Sequence, residues 1–434
     1  MNNLRRMLAA LAVSLCMNTG AHAAEKPEAI VQGWYHLVLE LIRHTPTYTP
    51  PVASRALGYL GVTAFEATAS GDAKLQSLAG QLTDLTATPS REAGATYDEA
   101  IILDAALVAS THDFFENTGP TGQRAIMAME KKSAAVTIEG VPSDVVARSQ
   151  AYGKAVAAHI FEWSQTDGGA KVENLGFPMK YDLKKGPGLW VPTNPVALQQ
   201  LPLLPEWGNN RPFAMPKDAS CDLAPPVEYS EDKGSEFYKQ AVEVFDIKKN
   251  LTDEQRFIAR FWADDAMLTT TPPGHWISIA LQIMARDNRS VADQTDLLAR
   301  LGVAQADAFI GCWKGKYTYN TVRPISYIRK TMDPKWDPLL NTPPFPEYPS
   351  GHSTQSGAAS MVMTAFFGDN FAFEDSTYTK DGVKARNFAS FYAAADEAAI
   401  SRIYGGIHFR AAVENGQVQG KCIGKYAANL KTRK

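Results

Sequence analysis

Cysteine is scarce in this chain, and so are membrane-length apolar runs and any surplus of basic charge. Four cysteines in 434 residues exclude a disulfide-framed scaffold, which needs many bridges in a short chain. Formal net charge is −3, with no long basic run. That argues against nucleic acid as the main partner. Beyond the N-terminus no segment approaches the ~20 continuous apolar residues of a membrane span. Val, Ile and Thr never alternate with polar residues for long, so strands are expected to be few. What remains is a composition of 45% hydrophobic and 21% charged residues, ordinary for a globular protein with one large domain or two smaller ones.

The N-terminus is read as separate from the fold. Arg5 and Arg6 precede a short apolar run from Met7 to Met17, and Ala21-His22-Ala23 is a small-x-small cleavage pattern. These are the parts of a secretory signal peptide, residues 1–24, cut after Ala23 or Ala24. A periplasmic or secreted protein is expected. Loss of two arginines takes the balance to 41 cations against 46 acids, or −5. Cys221, Cys312 and Cys422 then remain, enough for one bridge and one free thiol. The pairing is open.

The rest reads as an all-α chain of two helical blocks around an irregular middle. In the first block, residues 25–167, helical stretches are expected over Ala29–His44, Ala53–Ala69, Glu92–Asn117, Gln123–Thr137 and Ser143–Thr166, with Pro46, Pro50 and Pro51 as breaks. Residues 168–233 hold ten prolines, along with Trp190 and Trp207. Proline excludes a helix interior, and the aromatic content excludes a disordered linker. An ordered loop is expected that wraps the surface or covers a cleft. The second block, residues 234–434, starts near Ser235. A helix capped by Thr252 runs to Phe261. His275–Arg286, Ser290–Trp313, His352–Phe367, Lys384–Tyr404 and Arg410–Leu430 follow. His36, His44, His112 and His159 are read as structural or exposed.

Three short blocks carry the chemistry. In the first, Lys316 and Arg323 are cations near a helix end, and Pro324 restrains Arg323 to extended backbone. Arginine suits two-point contact with a tetrahedral oxyanion, and lysine adds a point charge. The second, Pro349-Ser350-Gly351-His352, opens a helix. Its free N–H groups favour an anion, Ser350 can donate a hydroxyl, and Gly351 lets the backbone come close. In the third, Arg402 and His408 are six residues apart, roughly 240° around a continuous helix, and could not share a face. Gly405-Gly406 between them can stop the helix and turn His408 back beside Arg402.

Lys-x6-Arg-Pro, Pro-Ser-Gly-His and Ser-Arg-x5-His in this order resemble the vanadium-dependent haloperoxidases and the acid phosphatases that share their site. Trp190–Pro195, Trp207-Gly208 with Arg211-Pro212-Phe213, Phe261–Asp264 and Thr271–Trp276 resemble the bacterial haloperoxidase branch. The resemblance implies two helical bundles and a vanadate cofactor. It implies that Lys316, Arg323, Ser350, Gly351 and Arg402 hold the oxyanion. His352 is then the acid–base residue, His408 the vanadium ligand, and Lys316 also polarises bound peroxide. Trp313 and Phe345 would line the halide side, with plain core packing as the competing reading. Two readings of Asp264 stay open: a charged hydrogen bond to one arginine, or an exposed acid at a helix end. The second applies to Asp265 as well.

One position departs from the pattern. Where the family has Asp four residues after the last histidine, this chain has Ala412. Glu414 or a backbone carbonyl is the expected substitute for orienting His408. The implied partners are hydrogen peroxide and a halide, iodide first and bromide second. Iodide is the easiest to oxidise, and the Asp missing at 412 disfavours chloride. The alternative is a phosphomonoesterase acting on phosphate esters, with His408 as nucleophile and His352 as acid. A binding protein with a dead site would lack some member of the constellation, and none is missing. A homodimer is left open.

Overall fold

The computed structural model describes residues 26–172, 181–193, 201–216, 221 and 223–434. The expected signal peptide lies outside the described residues, as do Asn194 and Pro195. The fold is all-α. The first block holds α1 (Pro27–Arg43), α2 (Pro50–Ala69), α3 (Glu99–Phe114), α4 (Pro120–Thr137) and α5 (Ser143–Ser164), and a single turn, α6 (Gly169–Val172), opens the middle segment. The second holds α7 (Glu236–Lys249), α8 (Asp253–Phe261), α9 (Thr271–Arg286), α10 (Val291–Tyr319), α11 (Pro324–Thr331), α12 (Gly351–Phe367), α13 (Phe391–Tyr404) and α14 (Arg410–Ala428). Strands β1 (Phe373–Asp375) and β2 (Arg386–Phe388) pair antiparallel, Phe373 opposite Phe388.

Several boundaries differ from expectation for physical reasons. Pro50 and Pro51 start α2 rather than break a helix, because the first turn has no N–H partner to lose. The Ala-rich stretch from Glu92 becomes helical only at Glu99, where Asp98 accepts the Ile101 N–H at 3.0 Å. α10 runs six residues beyond Trp313 and ends at Asn320, which adopts a left-handed φ of 48°. The stretch from Lys384 first forms β2, and α13 begins only after Ser390 caps it. Thr252 caps α8 with a full capping box, as expected.

α2 and α10 are the axis of the molecule. α2 is buried along nearly its whole length, and it can lie close to α10 because Gly61 faces the α10 backbone. A Cβ on Gly61 would stand 2.7 Å from the Leu298 carbonyl oxygen. One hydrophobic core therefore runs through both blocks, from Trp34 and Leu60 to Leu298 and Phe309. α12 and α14 meet in the same way at Gly420, where a Cβ would be 1.9 Å from the Thr354 carbonyl oxygen. Cys221 and Cys422 form a disulfide that ties the irregular middle to α14, and Cys312 is the buried free thiol. Among the described residues no helix is long and apolar enough to cross a membrane. At one end of this packing the termini of α10, α11, α12 and α13 converge.

Candidate active site

The long helix α10 delivers Lys316 from its last turn, wholly buried. The Lys316 ammonium donates to the carbonyls of Pro346 and Glu347 at 3.0 Å each and of Pro349 at 2.5 Å. All three of its protons are thus committed to the loop that leads into α12. Burial pulls its pKa down to about 7, with Arg323 adding to the effect. Lys316 is therefore a clamp and a nearby charge; direct contact with an anion requires it to release a carbonyl.

Arg323 precedes Pro324 with an extended backbone, φ −83° and ψ 153°, as the proline requires. Its guanidinium is fully buried. Nε donates to the Phe345 carbonyl at 3.0 Å, Nη1 donates to the Ile407 carbonyl at 2.7 Å, and Nη2 has no partner. Arg402, in the last turn of α13, donates Nη1 to the Trp262 carbonyl, while its Nε is buried without a partner. Burial draws both guanidinium pKa values down to about 10, and both stay charged. A buried donor left unmatched costs about 1–3 kcal/mol. Arg402 lines a cavity and Arg323 stands against His408, which lines the same one, so two such donors near one cavity mark a place for an acceptor.

Ser350 caps α12 and accepts the Ser353 N–H at 3.3 Å, so its own proton is free to donate. The first amides of α12, at Gly351 and His352, have no carbonyl in their own helix. A Cβ at Gly351 would meet only Trp313 and Cys312, at 3.8 and 4.0 Å. Packing therefore does not demand glycine here, and the bare backbone leaves room on the cavity side. Gly406 takes φ +77° after α13 ends, a left-handed turn that places His408 beside Arg323 rather than around the helix. His408 Nε2 is 3.1 Å from Arg323 Nη1.

His408 Nδ1 lies 2.8 Å from Glu347 Oε1, which also accepts the Phe409 N–H at 2.9 Å. With the carboxylate as acceptor, the proton sits on Nδ1 and the Nε2 lone pair faces the cations. Burial and then Arg323 and Lys316 hold the His408 pKa well below the ordinary value, so the ring stays neutral. Glu347 is the residue the sequence reading missed. Glu414 instead pairs with Arg410 at 3.4 Å on the surface, and the buried Ala412 gives its carbonyl to the Ser350 N–H. The signal was present in Glu347-Tyr-Pro-Ser350, a carboxylate three residues before the cap.

Asp264, expected to bond an arginine or to lie exposed at a helix end, is buried and, among the described residues, bonds no arginine. Its Oδ1 accepts from His275 Nδ1 at 2.9 Å and from the Tyr378 hydroxyl at 2.5 Å. Its Oδ2 stands 3.5 Å from His352 Nε2, a facing distance beyond a good hydrogen bond. Half-buried Asp265 is the acid whose charge acts most strongly on Arg402. Burial and Arg402 draw the His352 pKa down to about 4, leaving a neutral imidazole able to take a proton.

Gly351, His352, Arg402 and His408 form the floor of a cavity of about 460 Å³. Its walls include Trp313, Phe345, Pro343, Pro344, Met267 and Leu268. Trp313 and Phe345 touch at 4.9 Å, and Lys316 Nζ sits 5.0 Å from the Phe345 ring. The Trp313 N–H is engaged by the Leu203 carbonyl at 3.2 Å. Both rings are therefore core residues on one side and cavity wall on the other. His36, His44, His112 and His159 lie outside this cavity lining.

The chain is similar to known proteins in sequence and in fold. Residues 296–434 match the VCPO second helical-bundle domain. A stretch of 132 residues is 33% identical to the vanadium chloroperoxidase of Curvularia inaequalis, covering 25% of this chain and 22% of that protein. The crystal structure of a bacterial vanadium-dependent iodoperoxidase superposes with a TM-score of 0.84 at 38% identity, over 93% of this chain and 97% of that one. A holo-type bacterial vanadium-dependent chloroperoxidase shares the fold, with a TM-score of 0.68 at 16% identity over 94% and 93% of the two chains. With 38% identity across nearly the whole of the iodoperoxidase, and His352, Arg402 and His408 at one cavity floor with Arg323 against His408, the chain belongs to the vanadium-dependent haloperoxidases, enzymes that use peroxide.

Proposed function

We propose that this enzyme holds vanadate at the cavity floor and uses hydrogen peroxide to oxidise iodide, and bromide less readily, to hypohalous acid. The observation that carries the reading is the pair of orphaned buried donors, Arg323 Nη2 and Arg402 Nε, beside a neutral His408 whose Nε2 is oriented by Glu347. A tetrahedral oxyanion with one vacant coordination position fits that donor set. The arginines, the Ser350 hydroxyl and the α12 amides would hold its oxygens, and His408 Nε2 would be the ligand. Lys316 adds charge from behind the Pro346–Pro349 loop.

When bound, vanadate supplies a Lewis-acid centre at which peroxide is activated towards halide without a change in the metal's oxidation state. The chain's part is to bind, orient and move one proton. His352 lines the cavity floor with its Nε2 buried against Asp264 Oδ2, so the other ring nitrogen, Nδ1, is the one left to take a proton from incoming peroxide. Asp264 Oδ2 then faces the resulting imidazolium and stabilises it. Trp313 and Phe345 keep water from that side of the floor, where a weakly hydrated halide approaches.

Iodide is favoured by the 38% identity to a bacterial iodoperoxidase. Ala412 does not count against chloride, because Glu347 supplies the carboxylate that position lacks. The expected site of action is the periplasm or the exterior, on the strength of the N-terminal cleavage pattern. The test is loading of the purified chain with orthovanadate, followed by parallel assays with iodide, bromide and chloride and with a phosphomonoester. Iodide turnover well above bromide, with negligible chloride and ester turnover, is expected. Ester hydrolysis without halide oxidation would transfer the reading to a phosphatase.

A further inference from the structure

Behind the acid–base histidine lies a second buried cluster that the mechanism above uses only at its edge. His275, at the start of α9, is completely buried. Its Nδ1 is 2.9 Å from Asp264 Oδ1 and its Nε2 is 2.8 Å from Asp375 Oδ2 at the end of β1. Both carboxylates are buried too. Two ionised carboxylates can both accept from one imidazole only if both ring nitrogens carry protons.

We propose that His275 is a positioning residue for the acid–base step, bridging Asp264 and Asp375 so that Asp264 keeps one oxygen on the bridge and turns the other to the His352 ring. The proposal rests on the reading that His352 carries the proton. Several contacts fix this arrangement. The Tyr378 hydroxyl donates to the same Asp264 oxygen as His275, which leaves Oδ2 alone to face His352 Nε2 at 3.5 Å. Trp262 stacks on the His275 ring with centroids 4.6 Å apart, and the Thr377 N–H holds the other oxygen of Asp375 at 3.0 Å. Asp264 has φ +50°, a conformation that a non-glycine residue keeps only where its surroundings over-determine it.

The charges agree with the geometry. Burial alone would lower the His275 pKa, but Asp264 and Asp375 raise it to about 10. Burial pulls Asp264 up, yet His275 and then His352 hold it well below the usual carboxylate range. The other groups facing Asp264 are Tyr378, Arg402 and Asp265. Two carboxylates and one imidazolium leave a single negative charge behind His352. Without the imidazolium there would be two like charges in one dry pocket, and one carboxylate would take up a proton.

Neutron diffraction from crystals of the full chain near neutral pH tests the bridge directly. Deuterium on both His275 nitrogens is expected; a single deuteron overturns the inference. The functional arm uses vanadate-loaded His275→Gln, in which Asp264 and Asp375 compete for a proton, and His275→Gln/Asp375→Asn, in which Asp264 is the one carboxylate left of the pair and so stays ionised. His275→Gln should lose about 10–100-fold in kcat, with KM for peroxide and vanadium content unchanged, and the double variant should recover most of the loss. Wild-type kcat in the single variant, or no recovery in a folded double variant, overturns the inference. If His275→Gln fails to fold, the neutron result still decides. Absence of peroxidase activity in the vanadate-loaded wild type would instead defeat the functional reading.

Discussion

Two buried charged clusters sit on either side of His352, and they are built to opposite rules. Towards the cavity, Lys316, Arg323 and Arg402 outnumber the buried carboxyl of Glu347, and two N–H donors are unmatched. Behind His352, Asp264, His275 and Asp375 satisfy one another, with both ring nitrogens of the histidine in contact. Burying charge is tolerated only where it is paired. That second cluster is balanced in its hydrogen bonds, although it keeps one negative charge, and is therefore complete as it stands. The unbalanced cluster is complete only with an anion in it. Imbalance, rather than burial or charge alone, separates the ligand site from its support.

Breaking the contact between the clusters should have the largest effect. His352→Ala removes the proton carrier but no ligand, so vanadium content after dialysis should match the wild type while kcat falls about 10²–10⁴-fold. Vanadium loss in this variant would place His352 in the ligand set instead. Next, Arg402→Ala deletes one unmatched donor. A hydrogen bond to a charged group contributes about 1.5–3 kcal/mol, so vanadate and phosphate should both bind roughly 10–150-fold more weakly by calorimetry. An unchanged phosphate affinity would mean that Arg402 only braces the Trp262 carbonyl.

Glu347→Gln keeps an acceptor for His408 Nδ1 and removes the charge. Vanadate affinity should drop about 10–100-fold, and Glu347→Ala, which frees the tautomer, should be worse. Equal affinities for the two variants would rule out the tautomer argument. The smallest effect is on stability, and it probes the balanced cluster. The raised His275 pKa, about 10, means that its contribution is full below the ordinary value of ~6.5 and declines as pH rises towards 10. Asp264 acts in the opposite sense: its depressed pKa stabilises above ~4, and that contribution is lost as pH falls. Urea midpoints should fall between pH 6.5 and 10 in the wild type and fall less in His275→Gln. Parallel slopes would show that His275 is not charged in the fold.

The two clusters also differ in how far they could be read from sequence. The cationic one is built from short motifs whose local geometry is written in neighbouring residues. Pro324 fixes the Arg323 backbone, Pro349-Ser350-Gly351 opens α12, and Gly405-Gly406 turns the chain before His408. Each of those local expectations is met in the fold. The supporting contacts join residues far apart in the chain: His275 to Asp375 across 100 positions and His408 to Glu347 across 61. No periodicity reports a pair of that kind. Helix ends were misjudged where tertiary burial decided them, as in the extension of α10 to Tyr319, or where proline favours a first turn, as at Pro50. The short hairpin of β1 and β2 was missed because three-residue strands show no alternation, yet it carries Asp375.

The central claim is that the unmatched cations and His408 together form one oxyanion site. Equilibrium dialysis of the wild type and of His408→Ala against orthovanadate, each with and without inorganic phosphate, tests it most directly. The account predicts one vanadium per wild-type chain, displaced by phosphate, and loss of tight vanadium binding in His408→Ala while phosphate still binds. Equal vanadium retention in the two proteins, or vanadium that phosphate cannot displace, would contradict it.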